Sequence, residues 1–383
     1  MSTTSTSSED DFKAAIVLDN GSHRIRAGFA GDDAPRCFIR TVLCHSCDSS
    51  DTENADREDF YVGDHAMIKR EILSLKCPIE YGIVSNWDDM EKIWDYVFQQ
   101  ELRVPSDYQP ILVTEPPLNP KANREMMAQV MFETFNVPHM HVSAPAVLAF
   151  YANGRNSGIV LDIGETVTHV MASYESTFFP NATKRVDIGG KDLTEHLQKM
   201  LMEKGHSFTT PSELQDIGNM KERMCYVRHS KNSDLLTNNF LTSCPEKQFT
   251  LPDGKSITVT NEQFMCPEAL FSPSLMGSEF EGIHTLVHES LMCCAVDTRP
   301  DMLVNVLLSG GSTMFQGLND RMLQELKVLI SPKMKLKVIA PPERKASVWI
   351  GGSILASLSF FQNHFISKSQ YEEHGPYVMH RCV

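Results

Sequence analysis

The pattern IVLDxG occurs twice in this chain, as Ile16-Val17-Leu18-Asp19-Asn20-Gly21 and as Ile159-Val160-Leu161-Asp162-Ile163-Gly164. Each copy is followed by a second alternating stretch, Arg24 to Ala30 and Thr166 to Ser173. Alternation of period two on both sides of a Gly-containing turn predicts a β-hairpin, expected once in each half with an Asp and a Gly at its tip. A chain that repeats such an element reads as a duplicated α/β architecture.

The chemistry that suits this arrangement is binding of a triphosphate between two lobes. Glycine lets the backbone approach so that successive N–H groups point at phosphate oxygens, and the hydroxyl of Ser22 adds a donor. Asp19 and Asp162, facing each other across a cleft, would hold a divalent cation through its waters, since magnesium keeps most of its hydration shell. The plainer alternative is that both are ordinary turn aspartates; their repetition argues against it. A third motif fits the same site. Leu303 to Leu308 is an apolar run expected to be a buried strand, and Ser309-Gly310-Gly311-Ser312-Thr313-Met314 leads into a helical pattern from Leu318 to Leu329.

Composition removes other classes. The 383 residues are 42% hydrophobic and 22% charged, and 35 basic against 49 acidic residues give a net charge of -14. With a mean hydropathy of -0.23 and a pI near 5.5, the chain is expected to be a water-soluble globular protein of two ordinary domains. It has no basic stripe for nucleic acid and no run of about 18 apolar residues, so neither a nucleic acid nor a membrane is an expected partner. Ten cysteines without framework spacing suit reduced thiols. The CxxC of Cys44 and Cys47 lacks the second half a zinc site needs.

Longer blocks carry a family resemblance. Asp19-Asn20-Gly21-Ser22 with Ala27-Gly28-Phe29-Ala30-Gly31-Asp32-Asp33-Ala34-Pro35-Arg36, then Asn86 to Trp94, Leu118 to Glu125 and Met131 to Pro138, resemble the actins and actin-related proteins. So do Ala340-Pro341-Pro342-Glu343-Arg344-Lys345 and Ser347 to Leu358, and the resemblance runs over essentially the full length. It implies a duplicated actin/chaperone-type ATPase fold, with two lobes and four subdomains around a cleft for ATP or ADP with magnesium or calcium. The first lobe would comprise 1–144 and 346–383, with 41–76 as its small subdomain. The second would span 145–345, with about 190–270 as its small subdomain.

By the same resemblance the phosphates would lie between Gly21, Ser22 and Arg26 on one side and Asp162, Gly164, Glu165 and Thr166 on the other. The adenosine would sit on Gly190, Lys221, Glu222, Gly310, Gly311, Met314 and Lys345. Partners would dock in an apolar cleft formed by Tyr151, Leu355 and Leu358. Where the family carries a glutamine that positions the attacking water, this chain has Pro145, which has no amide side chain; His169 remains as a second polar group of the cleft. Losing the glutamine is expected to slow hydrolysis by about 10²-fold. His23 and Thr166 stand for glycines, Ile163 for a serine, Glu165 for an Asp, Tyr81 for a histidine and Ala346 for an aromatic residue, so both phosphate loops are bulkier than usual.

The surface differs as well. Cys44 to Asp59 holds six acids and one Arg and no large apolar side chain, where the resemblance implies a loop with an apolar tip for filament contacts. This run and Glu9-Asp10-Asp11 carry -8 of the net charge, either as solvated segments or as surfaces for basic partners. Arg228 to Glu246 reads as a polar surface excursion. The expectation is therefore a divergent actin-like, ATP-binding structural subunit of a cytoskeletal, dynein or ciliary assembly, cytoplasmic or, alternatively, in the cilium or nucleus. Hydrolysis would be weak and self-assembly hindered, actin or a second copy being the alternative partners. The competing expectation is a conventional polymerising actin; a sugar kinase or chaperone-type ATPase is disfavoured because the matching blocks lie outside the shared ATPase core.

Overall fold

The computed structural model describes residues 13–45, 60–70, 72–208, 210–229, 246–252 and 254–382. Two mixed sheets carry the architecture. The first runs in the spatial order Ile366–Ser367, His139–Ser143, Ile111–Thr114, Ile16–Asn20, Arg24–Phe29, Cys37–Arg40. The second runs Thr177–Phe178, Thr168–Tyr174, Gly158–Ile163, Val306–Ser309, Val338–Ile339, with Lys184–Val186 also paired to Thr168–Tyr174.

The two IVLDxG segments occupy equivalent places. Ile16–Asn20 pairs antiparallel with Arg24–Phe29 and parallel with Ile111–Thr114. Gly158–Ile163 pairs antiparallel with Thr168–Tyr174 and parallel with Val306–Ser309. A strand flanked on both edges and covered on both faces must be apolar throughout, which is why Ile16, Val17 and Leu18, like Ile159, Val160 and Leu161, are buried without alternation. The registers set Asp19 opposite Arg26 and Asp162 opposite His169.

Each sheet has its own hydrophobic core, and a third cluster containing Val17, Leu112, Leu148, Trp349 and Leu355 packs behind the first. Here helix Ser347–Ser357 crosses helix Pro145–Ala152. A Cβ on Gly351 would stand 1.7 Å from the Leu148 carbonyl oxygen, so only glycine allows this approach. Trp349 is fully buried and donates its indole N–H to the Val17 carbonyl at 3.0 Å.

Some elements differ from expectation. The strand expected over Leu303 to Leu308 spans Val306–Ser309, because Arg299–Leu303 is a short helix with Pro300 in its first turn. The return strands are Arg24–Phe29 and Thr168–Tyr174, since Gly164 to Val167 form the second turn. The acidic segment lies outside the described residues apart from Cys44 and His45, as do Glu9-Asp10-Asp11 and residues 230–245 of the polar excursion. Among the described residues eight cysteines are free, no group of three or more acidic, His or Cys side chains is placed to hold a metal, and no helix is long and apolar enough to cross a membrane.

Candidate functional site

The two hairpin turns face each other across a cavity of about 360 Å³. On the first side, Thr114 Oγ1 donates to Asp19 Oδ1 at 3.1 Å and accepts the Asn20 amide at 2.9 Å. The Asn20 side chain accepts from the Trp94 indole at 3.1 Å, and the Thr41 hydroxyl donates to the Gly21 carbonyl at 2.6 Å. The turn is thus fixed from three elements distant in sequence. Arg26 gives Nη1 to Asp19 Oδ2 at 2.8 Å, whereas its buried Nε has no partner among the described residues.

On the second side the Gly164 amide donates to the Val167 carbonyl at 2.9 Å. The Gly164 carbonyl accepts from the Gly190 amide at 3.0 Å and from Ser312 Oγ at 2.8 Å. This ties the turn to the start of helix Gly190–Glu203 and to the segment after Val306–Ser309. Gly310 has φ +91°, and a Cβ there would lie 2.4 Å from the Ile163 carbonyl oxygen, so the close pass of these strand ends requires glycine. Lys221, largely buried in the cavity wall, donates to the Gly190 carbonyl and to Thr194 Oγ1 at 2.7 Å.

Electrostatics separates the two aspartates. Asp19 is ion-paired, but burial pushes the Asp162 carboxyl upward, the Ser309 hydroxyl pulls it back and the Asp19 charge adds to the rise. Two carboxylates beside one guanidinium fit a divalent cation held through water, which would relieve the charge on Asp162. Burial pushes the Glu165 carboxyl up as well, against the pull of Lys221. His169 is 8% exposed, its Nε2 has no partner among the described residues, and burial with the Arg185 charge lowers it to about 3. It is therefore a neutral imidazole with an unused nitrogen in the cavity lining. His23 is likewise lowered to about 3 by partial burial and the charges of Arg24, Arg40, Lys221 and Lys345.

With this geometry in place, the comparison with protein families is informative: the family model described as Actin matches residues 10–383. The chain belongs to the actin family. Its mixed α/β architecture is the actin-like ATPase fold, and members of this family generally bind ATP or ADP with a divalent cation, and other proteins.

For an actin-family cleft, the residues that differ from expectation make their own contacts. Thr166 Oγ1 donates to Ser22 Oγ at 3.1 Å, joining the two turns, and Glu165 stands 4.0 Å from His23. Beside them, Ser22 Oγ accepts the Gly82 amide at 3.1 Å, and Arg185 donates to the carbonyl of Tyr81, itself at φ +48°, at 2.9 Å. Pro145 lines the cavity as the first residue of helix Pro145–Ala152. The preceding Ala144 is extended, as the residue before proline must be, and offers no capping side chain.

Of the expected site residues, Asp19, Gly21, Ser22, Arg26, Pro145, Asp162, Gly164, Glu165, Thr166, His169, Lys221, Glu222, Gly310, Gly311, Met314 and Lys345 all line the cavity. Gly190 does not; it lies behind the wall, where a Cβ would meet Glu165 Oε2 and Ser312 Oγ at 2.6 Å. Arg26 is also less free than expected of a phosphate counter-ion, being engaged by Asp19. Lys345 stands 3.7 Å from Glu222 at the rim. At the expected partner cleft, Leu355 is 2% exposed and belongs to the third core cluster, on which Tyr151 and Leu358 pack half-buried. The outward residues nearby are Ile354 and Phe360. Sequence reasoning missed Thr114, Ser312 and Arg24. Thr114 carries no local signal, whereas Ser312 lies inside the Ser309 to Met314 motif and Arg24 alternates with Arg26 on one strand face.

Proposed function

We propose that the chain is a divergent actin-like, nucleotide-binding structural subunit of a cytoskeletal or motor-associated assembly, dynein and ciliary complexes included, with weak or absent ATP hydrolysis. The observation that carries this reading is Pro145 in the cavity wall, at the place where the family resemblance expects a glutamine. A pyrrolidine ring donates no hydrogen bond, so position 145 offers no amide with which to orient a water for in-line attack. His169 keeps a neutral nitrogen in the lining, which can accept a hydrogen bond from water but is too weak a base to activate it and does not replace the lost positioning group.

In this reading the amides and hydroxyls of the turns at Gly21, Ser22, Gly164 and Thr166 and the Arg26 guanidinium hold phosphates. Lys221, Glu222, Gly310, Gly311, Met314 and Lys345 surround the nucleoside. Asp19 and Asp162 hold magnesium or calcium through water, and that cation supplies neutralisation of phosphate charge. The proposed lobes are 1–144 with 346–383 and 145–345, with small subdomains at 41–76 and about 190–270. A cytoplasmic, cytoskeletal location follows from the same reading, as do protein partners rather than nucleic acid or membrane.

The test is the identity of bound nucleotide over time. Purified protein is loaded with Mg-ATP, freed of excess, and denatured in aliquots over a day at low and high protein concentration. ATP that persists at every concentration supports the reading. ADP that accumulates, and faster at high concentration, overturns it in favour of a conventional polymerising actin.

A further inference from the structure

Arg24 is a cation in the cavity wall to which neither the phosphate motifs nor the duplicated turn assigns a role. It sits two residues before Arg26 on Arg24–Phe29, so both project from the same strand face. Both guanidinium groups lie over the Phe38 ring, Arg24 at 4.6 Å and Arg26 at 5.3 Å from its centroid. Their charges are answered differently. Arg26 is paired with Asp19 at 2.8 Å, whereas among the described residues no carboxylate comes within ion-pairing distance of Arg24. Its cross-strand neighbour is another cation, Arg40, which is itself engaged by Asp64 at 3.3 Å. Burial and the Arg40 charge lower the Arg24 pKa, the more distant Asp64 and Glu222 raise it, and Arg26 lowers it again. Across the cavity, Lys221 is bonded to a carbonyl and a hydroxyl, and Lys345 is loosely paired with Glu222. Uncompensated positive charge is therefore concentrated next to Ser22 and His23, at the tip of the first turn.

We propose that Arg24 is a phosphate-binding residue of this cleft, directed at the terminal phosphates of a nucleoside polyphosphate. The assignment rests on the nucleotide-binding reading above. A guanidinium is a planar fork that matches two phosphate oxygens at once. Held over the Phe38 ring, it loses little further freedom when it closes on an anion. With Arg26 committed to Asp19, Arg24 is the first-turn cation most available to an incoming phosphate.

The experiment is calorimetric titration of the full chain, wild type, R24L and R24K, with Mg-ATP, Mg-ADP, adenosine and pyrophosphate, each variant first checked for native circular dichroism and melting temperature. R24L is expected to bind Mg-ATP about tenfold more weakly, Mg-ADP less affected and adenosine unchanged, with a shallower dependence on ionic strength. R24K is expected to lie between, because a point charge replaces the fork; it is the variant to read if R24L does not fold. Mg-ATP binding by a folded R24L or R24K equal to that of wild type overturns the assignment while leaving the nucleotide reading intact. An equal loss for adenosine and Mg-ATP also overturns it, as a structural effect. Wild type that binds pyrophosphate but neither nucleotide overturns the nucleotide reading, and this assignment with it.

Discussion

Asp19 and Asp162 occupy the same place in two copies of one hairpin, yet they live in opposite electrostatic surroundings. Each precedes the turn, and each sits on a strand with a parallel partner on its far edge. The difference comes from the residue in register on the return strand, Arg26 in one copy and His169 in the other. Arg26 gives Asp19 a counter-charge and a 2.8 Å hydrogen bond. His169, buried and neutral, gives Asp162 none, and the Asp162 carboxyl is pushed up. Duplication of a backbone thus fixes where a carboxylate stands, while the cross-strand neighbour decides whether it gains a counter-charge there.

The comparison can be broken most severely at the first copy. Asp19→Asn leaves Arg26 in the wall without its counter-charge and is expected to cost about 3 kcal/mol in urea unfolding, whereas Asp162→Asn is expected to change stability by less than about 1 kcal/mol. Equal losses would show that the pairing of Asp19 does not distinguish the copies. Next in size, Pro145→Gln restores an amide donor beside the second copy and is expected to raise single-turnover ATP hydrolysis by about 10²-fold; no change in rate would place the defect elsewhere in the loops.

The neutral partner is sharpened by pH. His169 has a folded pKa of about 3 against 6.5 for the free side chain, so the folded protein binds fewer protons between these values. The stability this contributes is complete above 6.5 and is lost as the pH falls. About 2 kcal/mol should disappear between pH 7 and 5, and His169→Asn should lose less over that interval in chemical denaturation. Asp162 has the opposite sign, its contribution falling as the pH rises through its raised folded pKa. The smallest effect belongs to the contact between the copies. Thr166→Val removes the hydrogen bond to Ser22 and is expected to lower the melting free energy by about 1 kcal/mol, while Thr168→Val, on the buried side of the same hairpin, should cost more because the Ile188 carbonyl it serves is enclosed.

Much of the site was legible because its motifs are local. The paired IVLDxG segments, the Gly310-Gly311 step and Pro145 can be read in a few residues each, and all reach the cavity. Four features were not legible, each for a physical reason. Thr114 meets Asp19 across 95 residues of chain, and Ser312 meets Gly164 across 148, so no window of sequence contains either contact. Helix Ser347–Ser357 is apolar almost all round, so periodicity gave no sign that Leu355 faces the core and Ile354 the outside. Arg299–Leu303 continues the apolar character of the following strand, which hid where the helix ends and Val306–Ser309 begins.

By itself the sequence determined the family, the duplicated hairpins and the chemical groups at their turns, because strand alternation and glycine turns are encoded in neighbouring residues. Only the tertiary structure decided which of those groups are engaged. Arg26 is spent on Asp19, Lys221 on the Gly190 carbonyl, and Arg24 on no carboxylate among the described residues. Such pairings depend on sheet register and on how closely the two sheets approach, and both are set by packing between residues far apart in the chain, as where Gly351 admits the Leu148 backbone.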